Sequence, residues 1–93
     1  MSSSDSVPAN AAEVVIYTKP DCVDCFNAKR YLTNRKIPFR VRSLNDEEAV
    51  NALLNLTGPG NFATPILIIG RHVFSGFAVN RRHIEIVLDQ KGL

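Results

Sequence analysis

The fold of this chain is decided by residues 14–25, which read VVIYTKPDCVDC. Val14 to Tyr17 form a short, apolar, β-prone run, and the residues after it contain Pro20, so a buried strand ends here in a turn. From Cys22 or Val23 the apolar residues follow helical spacing to about Asn34. Both cysteines therefore lie at the junction between the first strand and the first helix.

The rest of the chain continues the alternation of strands and helices. The further predicted elements are an edge strand at 37–41, a helix capped by Asp46 or Asn45 and ending near Thr57, a hairpin of strands 65–69 and 72–75, and a last helix from Asn80 to about Lys91. The order β-α-β-α-β-β-α predicts an α/β fold in which a four-stranded mixed sheet is flanked by helices.

Length and composition exclude several classes of protein. With 93 residues there is room for one domain, which we assign to residues 13–93 after a flexible tail at 1–12. A net charge of +2 with scattered basic residues does not indicate nucleic acid as a partner. The sequence contains no apolar run of roughly 18 residues, the length that spans a membrane, and its first residues do not resemble an export signal. We therefore expect a cytoplasmic protein.

The chain has two cysteines, Cys22 and Cys25, whereas a small secreted domain held by disulfides usually has four or more. A bond between them would close a very small loop and remove little entropy from the unfolded chain, which disfavours a structural role. A redox or metal-binding role remains. Zinc normally has four ligands, and His72 and His83 are the other soft candidates, so dithiol chemistry is favoured and a zinc or iron–sulfur module stays an alternative.

The position of the pair makes the two thiols unequal. Cys22 would lie at the helix N-terminus, where free N–H groups stabilise a thiolate, and Cys25 would face the core one turn later. We expect Cys22 to attack a substrate disulfide and Cys25 to resolve the mixed disulfide. Asp21 and Asp24 would repel the Cys22 thiolate, and Lys19 would offset part of that repulsion.

Three separated motifs carry a resemblance to a known family. They are Tyr-Thr-Lys-Pro-x-Cys-x-x-Cys at 17–25, Ala63-Thr64-Pro65, and Ser75-Gly76-Phe77. Over about residues 14–88 the chain resembles the glutaredoxin branch of the thioredoxin superfamily, and in particular the NrdH-type redoxins that reduce ribonucleotide reductase. Val23 agrees with their active-site motif, whereas Phe74 stands where they have tryptophan.

The resemblance implies a thioredoxin fold and thiol–disulfide oxidoreductase activity. It implies a cis bond between Thr64 and Pro65, opposite the cysteines, where main-chain groups pair with an extended substrate. The implied partners are thioredoxin reductase, which passes on electrons from NADPH, and a disulfide-bearing protein such as ribonucleotide reductase. No bound cofactor is implied, and we expect a monomer. The substrate-binding residues would be Lys19, Pro20, Val23, Thr64, Pro65, Gly76 and Phe77.

A glutathione-dependent glutaredoxin is the main alternative. Such proteins resemble this chain at Lys19 and Thr64, but they have an acidic segment after the last strand that holds the γ-glutamyl end of glutathione. The matching residues here are Gly76-Phe77-Ala78-Val79, without a carboxylate. Loss of a charged hydrogen bond typically costs about 1.5 to 3 kcal/mol, so we expect weak glutathione binding.

Phe77 could form an apolar docking rim with Pro20 and Val23, or belong to the core.

Overall fold

The computed structural model describes residues 14–60 and 63–93, and the tail predicted at 1–12 lies outside them. The elements are β1 (Val14–Thr18), α1 (Val23–Asn34), β2 (Arg40–Ser43), α2 (Glu47–Thr57), β3 (Ile66–Ile69), β4 (His72–Ser75), a 3-10 turn (Ala78–Asn80) and α3 (Arg81–Gln90). The predicted order β-α-β-α-β-β-α is confirmed, with the 3-10 turn as an addition before α3.

One mixed sheet organises the described chain, with strand order β2-β1-β3-β4. β1 pairs in parallel with β2, while β3 pairs antiparallel with β1 and with β4. β1 is therefore an inner strand of the sheet, and the cysteine motif follows its last residues in the chain. The tight hairpin predicted at Gly70-Arg71 joins β3 to β4, with Gly70 at a φ of 61°.

Apolar side chains from β1 and β3 alternate between the two faces of the sheet. On one face, Ile16 and Leu67 belong to a cluster with Leu32 of α1 and Leu88 of α3. On the other face, residues including Ile66 pack with Ala49 and Leu53 of α2. The sheet is thus covered on both faces. No helix within 14–60 or 63–93 has the length and apolarity needed to cross a membrane.

The second strand begins later than the sequence predicts. It spans Arg40–Ser43 instead of 37–41, because the Ile37 N–H bonds the Leu32 carbonyl at the end of α1 and Pro38 has no N–H for a ladder. The predicted edge position is confirmed. In this edge strand Val41 is 48% exposed, and the Arg42 guanidinium lies 5.9 Å from the Tyr17 ring centre.

Two features of the helices refine the predictions. Asp46, not Asn45, caps α2 by accepting a 3.1 Å hydrogen bond from the Glu48 N–H. The buried face of α2 is formed by Ala49 and Leu53, whereas Leu54 and Leu56 are exposed.

Candidate active site

Cys22 is the N-cap of α1, in extended conformation, and its Sγ accepts a 3.1 Å hydrogen bond from the Cys25 N–H. The two Sγ atoms form a disulfide, and the Cα atoms lie 5.2 Å apart. Helix N-termini have unpaired N–H groups and a positive partial charge. The same N–H group that bonds the sulfur here would stabilise a Cys22 thiolate after reduction.

The two sulfurs differ in their access to solvent, as the sequence predicts. Cys25 is 2% exposed and lies on the buried side of α1 with Ala28 and Leu32. Cys22 is partly exposed at the start of the helix. An incoming group can therefore reach Cys22, whereas Cys25 is placed to react with Cys22 from inside.

The segment before β3 lies opposite the disulfide. The bond between Thr64 and Pro65 is cis, as the resemblance implied. The Thr64 hydroxyl lies 3.4 Å from Cys22 Sγ, and because a disulfide sulfur carries no hydrogen, this hydroxyl is the donor. The buried Pro65 accepts a 2.8 Å hydrogen bond at its carbonyl from the Gly76 N–H. Thr64 is thus held against Cys22 from the side of β4.

A hydrogen-bond network after β4 supports this segment. The Ser75 hydroxyl accepts from the Ala63 N–H at 2.7 Å and donates to the Ala63 carbonyl at 3.2 Å. The Asn80 side chain donates to the carbonyls of Ser75 and Gly76 at 2.8 and 2.9 Å. Asn80 thus stands at the N-cap position of α3, as predicted, but its side chain bonds these carbonyls and makes no cap hydrogen bond.

The backbone conformation at residue 76, directly after β4, requires glycine. Its φ is 92°, a region that glycine adopts readily. A Cβ added here would also lie 3.2 Å from Cγ2 of Val79. This glycine lets the chain turn from β4 toward α3 while its N–H reaches Pro65.

Asp24, which lies between the two cysteines, accepts hydrogen bonds from the same chain segment after β4. Its carboxylate accepts from the Phe77 N–H at 2.7 Å and from the Ala78 N–H at 3.2 and 3.3 Å. We call these contacts the Asp24 bridge. The bridge joins the first turn of α1 to the start of the 3-10 turn, so the cysteine motif is fixed to the chain segment that follows β4.

The surface around Cys22 is apolar on the helix side. Val23 is 75% exposed and Phe26 is 59% exposed, and both line a shallow depression with Asp21 and Cys22. Phe26 lies outside the buried face of α1, which is formed by Cys25, Ala28 and Leu32.

Phe77 resolves the alternative that the sequence left open. Its side chain is 5% exposed and packs in the core, with its ring centre 5.4 Å from that of Tyr31. Phe77 therefore contributes main-chain groups, and not its ring, to the surface of the site. Lys19 and Pro20 are exposed in the turn before Cys22.

The histidines that were candidate zinc ligands, His72 and His83, are both exposed, on β4 and on α3. Within 14–60 and 63–93, no three side chains from histidine, cysteine, aspartate and glutamate come together in a group that could hold a metal ion.

The sequence did not predict the roles of Asp24, Ser75 and Asn80 in this site. Each acts through main-chain partners in other elements, up to 54 residues away for Asp24 and 12 for Ser75. A carboxylate in a first helical turn is an ordinary helix-stabilising feature, so nothing local marks Asp24 as a long-range acceptor.

Comparison with known proteins agrees with this architecture. The family model described as Glutaredoxin matches residues 14–74. The Glutaredoxin-like protein NrdH of Escherichia coli (strain K12) is 34% identical over 73 residues, which cover 75% of this chain and 88% of that protein.

Solved structures of similar proteins share the fold. The NrdH-redoxin from Escherichia coli superposes with a TM-score of 0.58 at 30% identity, over 74% of this chain and 91% of that one. The thioredoxin-like protein BC3987 superposes with a TM-score of 0.66 at 24% identity, over 81% of this chain and 99% of that one. The predicted thioredoxin fold is confirmed, and the chain belongs to the glutaredoxin family and is a thiol–disulfide oxidoreductase that is similar to the NrdH-type redoxins.

Proposed function

We propose that this protein reduces disulfides of other proteins in the cytoplasm and is itself reduced by thioredoxin reductase. The observation that carries the proposal is the unequal cysteine pair, with Cys22 accessible at a helix N-terminus and Cys25 buried behind it. A reducing compartment suits a cysteine pair of this kind, because the pair must be returned to the dithiol after each turnover.

The reaction proceeds by two exchanges. The Cys22 thiolate attacks one sulfur of the substrate disulfide, the substrate S–S bond breaks, and the other substrate sulfur leaves as a thiolate that takes up a proton. Cys25, after losing its proton, attacks Cys22 Sγ, which forms the Cys22–Cys25 bond and releases the second substrate thiol. Two electrons pass to the substrate, and two electrons from a reductase restore the dithiol.

The segment at Thr64 would hold the substrate chain during these steps. Among the described residues, the main-chain N–H and carbonyl of Thr64 have no hydrogen-bond partner, although Pro65 next to it is bonded to Gly76. An extended peptide could pair with those two groups as a short added strand. Its disulfide would then lie beside Cys22, with the Thr64 hydroxyl directed at the reacting sulfur.

Exposed apolar side chains would supply the docking surface for the protein partner. Val23 and Phe26 project beside Cys22, and a protein that covered them would remove apolar area from water. Pro20 and Lys19 extend this surface on the turn before the helix. Gly76 and Phe77 would contribute by positioning this surface, because the Phe77 ring is buried, the Gly76 N–H bonds Pro65 and the Phe77 N–H bonds Asp24.

The choice of electron donor rests on the segment after β4. Gly76 to Val79 supply no carboxylate that could pair with the ammonium group of glutathione. The curated relative is named a glutaredoxin-like protein, and the solved redoxin from Escherichia coli is described by a thioredoxin-like activity profile. These observations support thioredoxin reductase as the donor. From the resemblance to the NrdH-type redoxins we infer that the acceptor is ribonucleotide reductase and that the protein acts as a monomer without a bound cofactor.

The test is NADPH-driven turnover of a protein disulfide with either of two reducing systems. We expect turnover with thioredoxin reductase alone, and little with glutathione and glutathione reductase. Cys22→Ser serves as the control, because it removes the attacking sulfur and leaves the rest of the surface. Turnover that requires glutathione would overturn the choice of donor, and absence of turnover with both systems would overturn the proposed function.

A further inference from the structure

The Asp24 bridge occupies two main-chain N–H groups near the active site that could bind an anion. The N–H groups of Phe77 and Ala78 are consecutive, and both point at one carboxylate at 2.7 to 3.3 Å. They open a 3-10 turn that continues into the ten-residue helix α3, so they carry the positive partial charge of a helical N-terminus. Main-chain groups in this arrangement bind carboxylates and phosphates in many proteins.

These two N–H groups are also close to the reacting sulfur. Asp24 lies two residues after Cys22 and reaches them from the first turn of α1. The Gly76 N–H, one residue before the pair, bonds Pro65, which follows the Thr64 that contacts Cys22. A small thiol or disulfide that placed its sulfur at Cys22 could therefore place a carboxylate at Phe77 and Ala78, if these groups were free.

We propose that Asp24 is a specificity-determining positioning residue, which occupies the Phe77 and Ala78 N–H groups with the protein's own carboxylate and thereby excludes glutathione. Glutathione carries two carboxylates, and either one would have to displace a carboxylate that is already bound. A protein substrate that pairs with the main chain at Thr64 does not need these groups. The Asp24 bridge thus favours protein disulfides over small anionic thiols at the same cysteine pair.

The inference rests on the proposed function only in its choice of substrates, and it has a test that needs no turnover. S-methylglutathione keeps both carboxylates but cannot undergo thiol exchange. Its binding can be followed by the NMR shifts of the Phe77 and Ala78 amides in the oxidised protein. We expect no saturable shift with the natural protein at millimolar ligand, and a saturable shift with Asp24→Ala that corresponds to roughly tenfold tighter binding.

Asp21→Asn is the matched control for charge. Asp21 also adjoins Cys22, is exposed, and has a φ of 57°, which asparagine tolerates. If removal of one negative charge were enough to admit glutathione, Asp21→Asn would bind S-methylglutathione as well as Asp24→Asn does, and the proposal would be wrong. We expect tighter binding only for the substitutions of Asp24. The gain in affinity should be smaller for asparagine than for alanine, because an amide oxygen still accepts one hydrogen bond.

A second readout measures catalysis. Two glutathione molecules can reduce the Cys22–Cys25 disulfide, the first forming a mixed disulfide with Cys22 and the second releasing oxidised glutathione, which glutathione reductase returns to thiols with NADPH. Asp24→Ala is expected to gain at least several-fold in kcat/KM for glutathione. Damage to the structure alone would lower this value.

Two results would overturn the inference. One is saturable binding of S-methylglutathione to the Phe77 and Ala78 amides of the natural protein, because Asp24 would then not exclude it. The other is a folded Asp24→Ala without a gain in binding. If Asp24→Ala does not fold, the isosteric Asp24→Asn decides by the same two measurements. Absence of protein-disulfide turnover by the natural protein would instead contradict the proposed function. The result of the binding experiment on Asp24 would still stand.

Discussion

The hydroxyl oxygen of Thr64 lies 3.4 Å from the Sγ atom of Cys22, across 42 residues of sequence. In the disulfide form this hydroxyl donates to a neutral sulfur. After reduction the same donor faces a thiolate, and hydrogen bonds to charged acceptors are stronger than those to neutral ones. Thr64 therefore connects the segment before β3 with the sulfur of Cys22.

The first prediction follows from this contact. Thr64→Val removes the hydroxyl with little change of shape, so the Cys22 thiolate loses a donor. We expect alkylation of reduced Cys22 by iodoacetamide at pH 7 to slow by roughly threefold to tenfold, the effect of a weak charged hydrogen bond. Thr64→Ser keeps the hydroxyl and should react at nearly the natural rate. Equal rates for valine and threonine would show that the hydroxyl does not act on Cys22.

The second prediction concerns the support of the segment before β3. Ser75→Ala removes both hydrogen bonds to Ala63, and Ser43→Ala removes a comparable 3.1 Å bond from the Asn45 N–H at the end of β2. Each should destabilise the fold by about 1 kcal/mol. Only Ser75→Ala should raise KM for a protein disulfide, because only Ser75 positions the substrate-binding segment. A similar rise for Ser43→Ala would mean that KM reports general loss of stability.

The third prediction tests the apolar docking surface. Phe26 and Leu56 are both 59% exposed and helical, but Phe26 lies beside the cysteines, whereas Leu56 lies near the end of α2. Phe26→Ser should raise the KM of thioredoxin reductase for this protein several-fold, because the reductase can no longer bury the ring. Leu56→Ser should leave KM unchanged. Both should alter the free energy of unfolding by less than about 0.5 kcal/mol, as is usual for exposed sites. Equal KM values in the two variants would exclude Phe26 from the interface.

The fourth prediction isolates the contribution of the Asp24 bridge to stability. Asp24 and Glu48 are each the second residue of a helix, but only the Asp24 carboxylate accepts hydrogen bonds from a distant segment. Glu48→Ala should cost about 0.3 to 1 kcal/mol through the helix dipole. Asp24→Ala should cost a further 1.5 to 3 kcal/mol or so, because charged hydrogen bonds are lost and the partly buried Phe77 N–H is left without its acceptor. Urea denaturation of the oxidised proteins measures both. Equal losses would show that the bridge adds nothing to the fold.

The sequence predicted the elements of the fold because their signals are local. The apolar run at Val14, the cysteines at the start of a helix, and the Gly70-Arg71 turn each specify structure over a few residues. β2 was misplaced for the converse reason, since Ile37 is needed at the end of α1 by its hydrogen bond to Leu32. A distant requirement of this kind overrides the β propensity of the segment.

The active site was predictable to a similar extent. The positions of Cys22 and Cys25 on the first helix follow from the motif, and the cis bond before Pro65 followed from family resemblance. The acceptor role of Asp24 did not follow, because it depends on how closely α1 approaches the chain after β4. That distance is set by packing of the whole core, which no local pattern encodes.

We propose that Cys22 attacks the substrate disulfide first and that Cys25 then resolves the mixed disulfide. The decisive measurement mixes each reduced single-cysteine variant with a disulfide-bearing protein and determines the mass of the intact products. Cys25→Ser should accumulate a mixed disulfide, mapped by peptide analysis to Cys22, because the resolving sulfur is absent. Cys22→Ser should form almost none, since Cys25 is 2% exposed. A mixed disulfide that forms as fast at Cys25 in Cys22→Ser would contradict the assignment of the two roles.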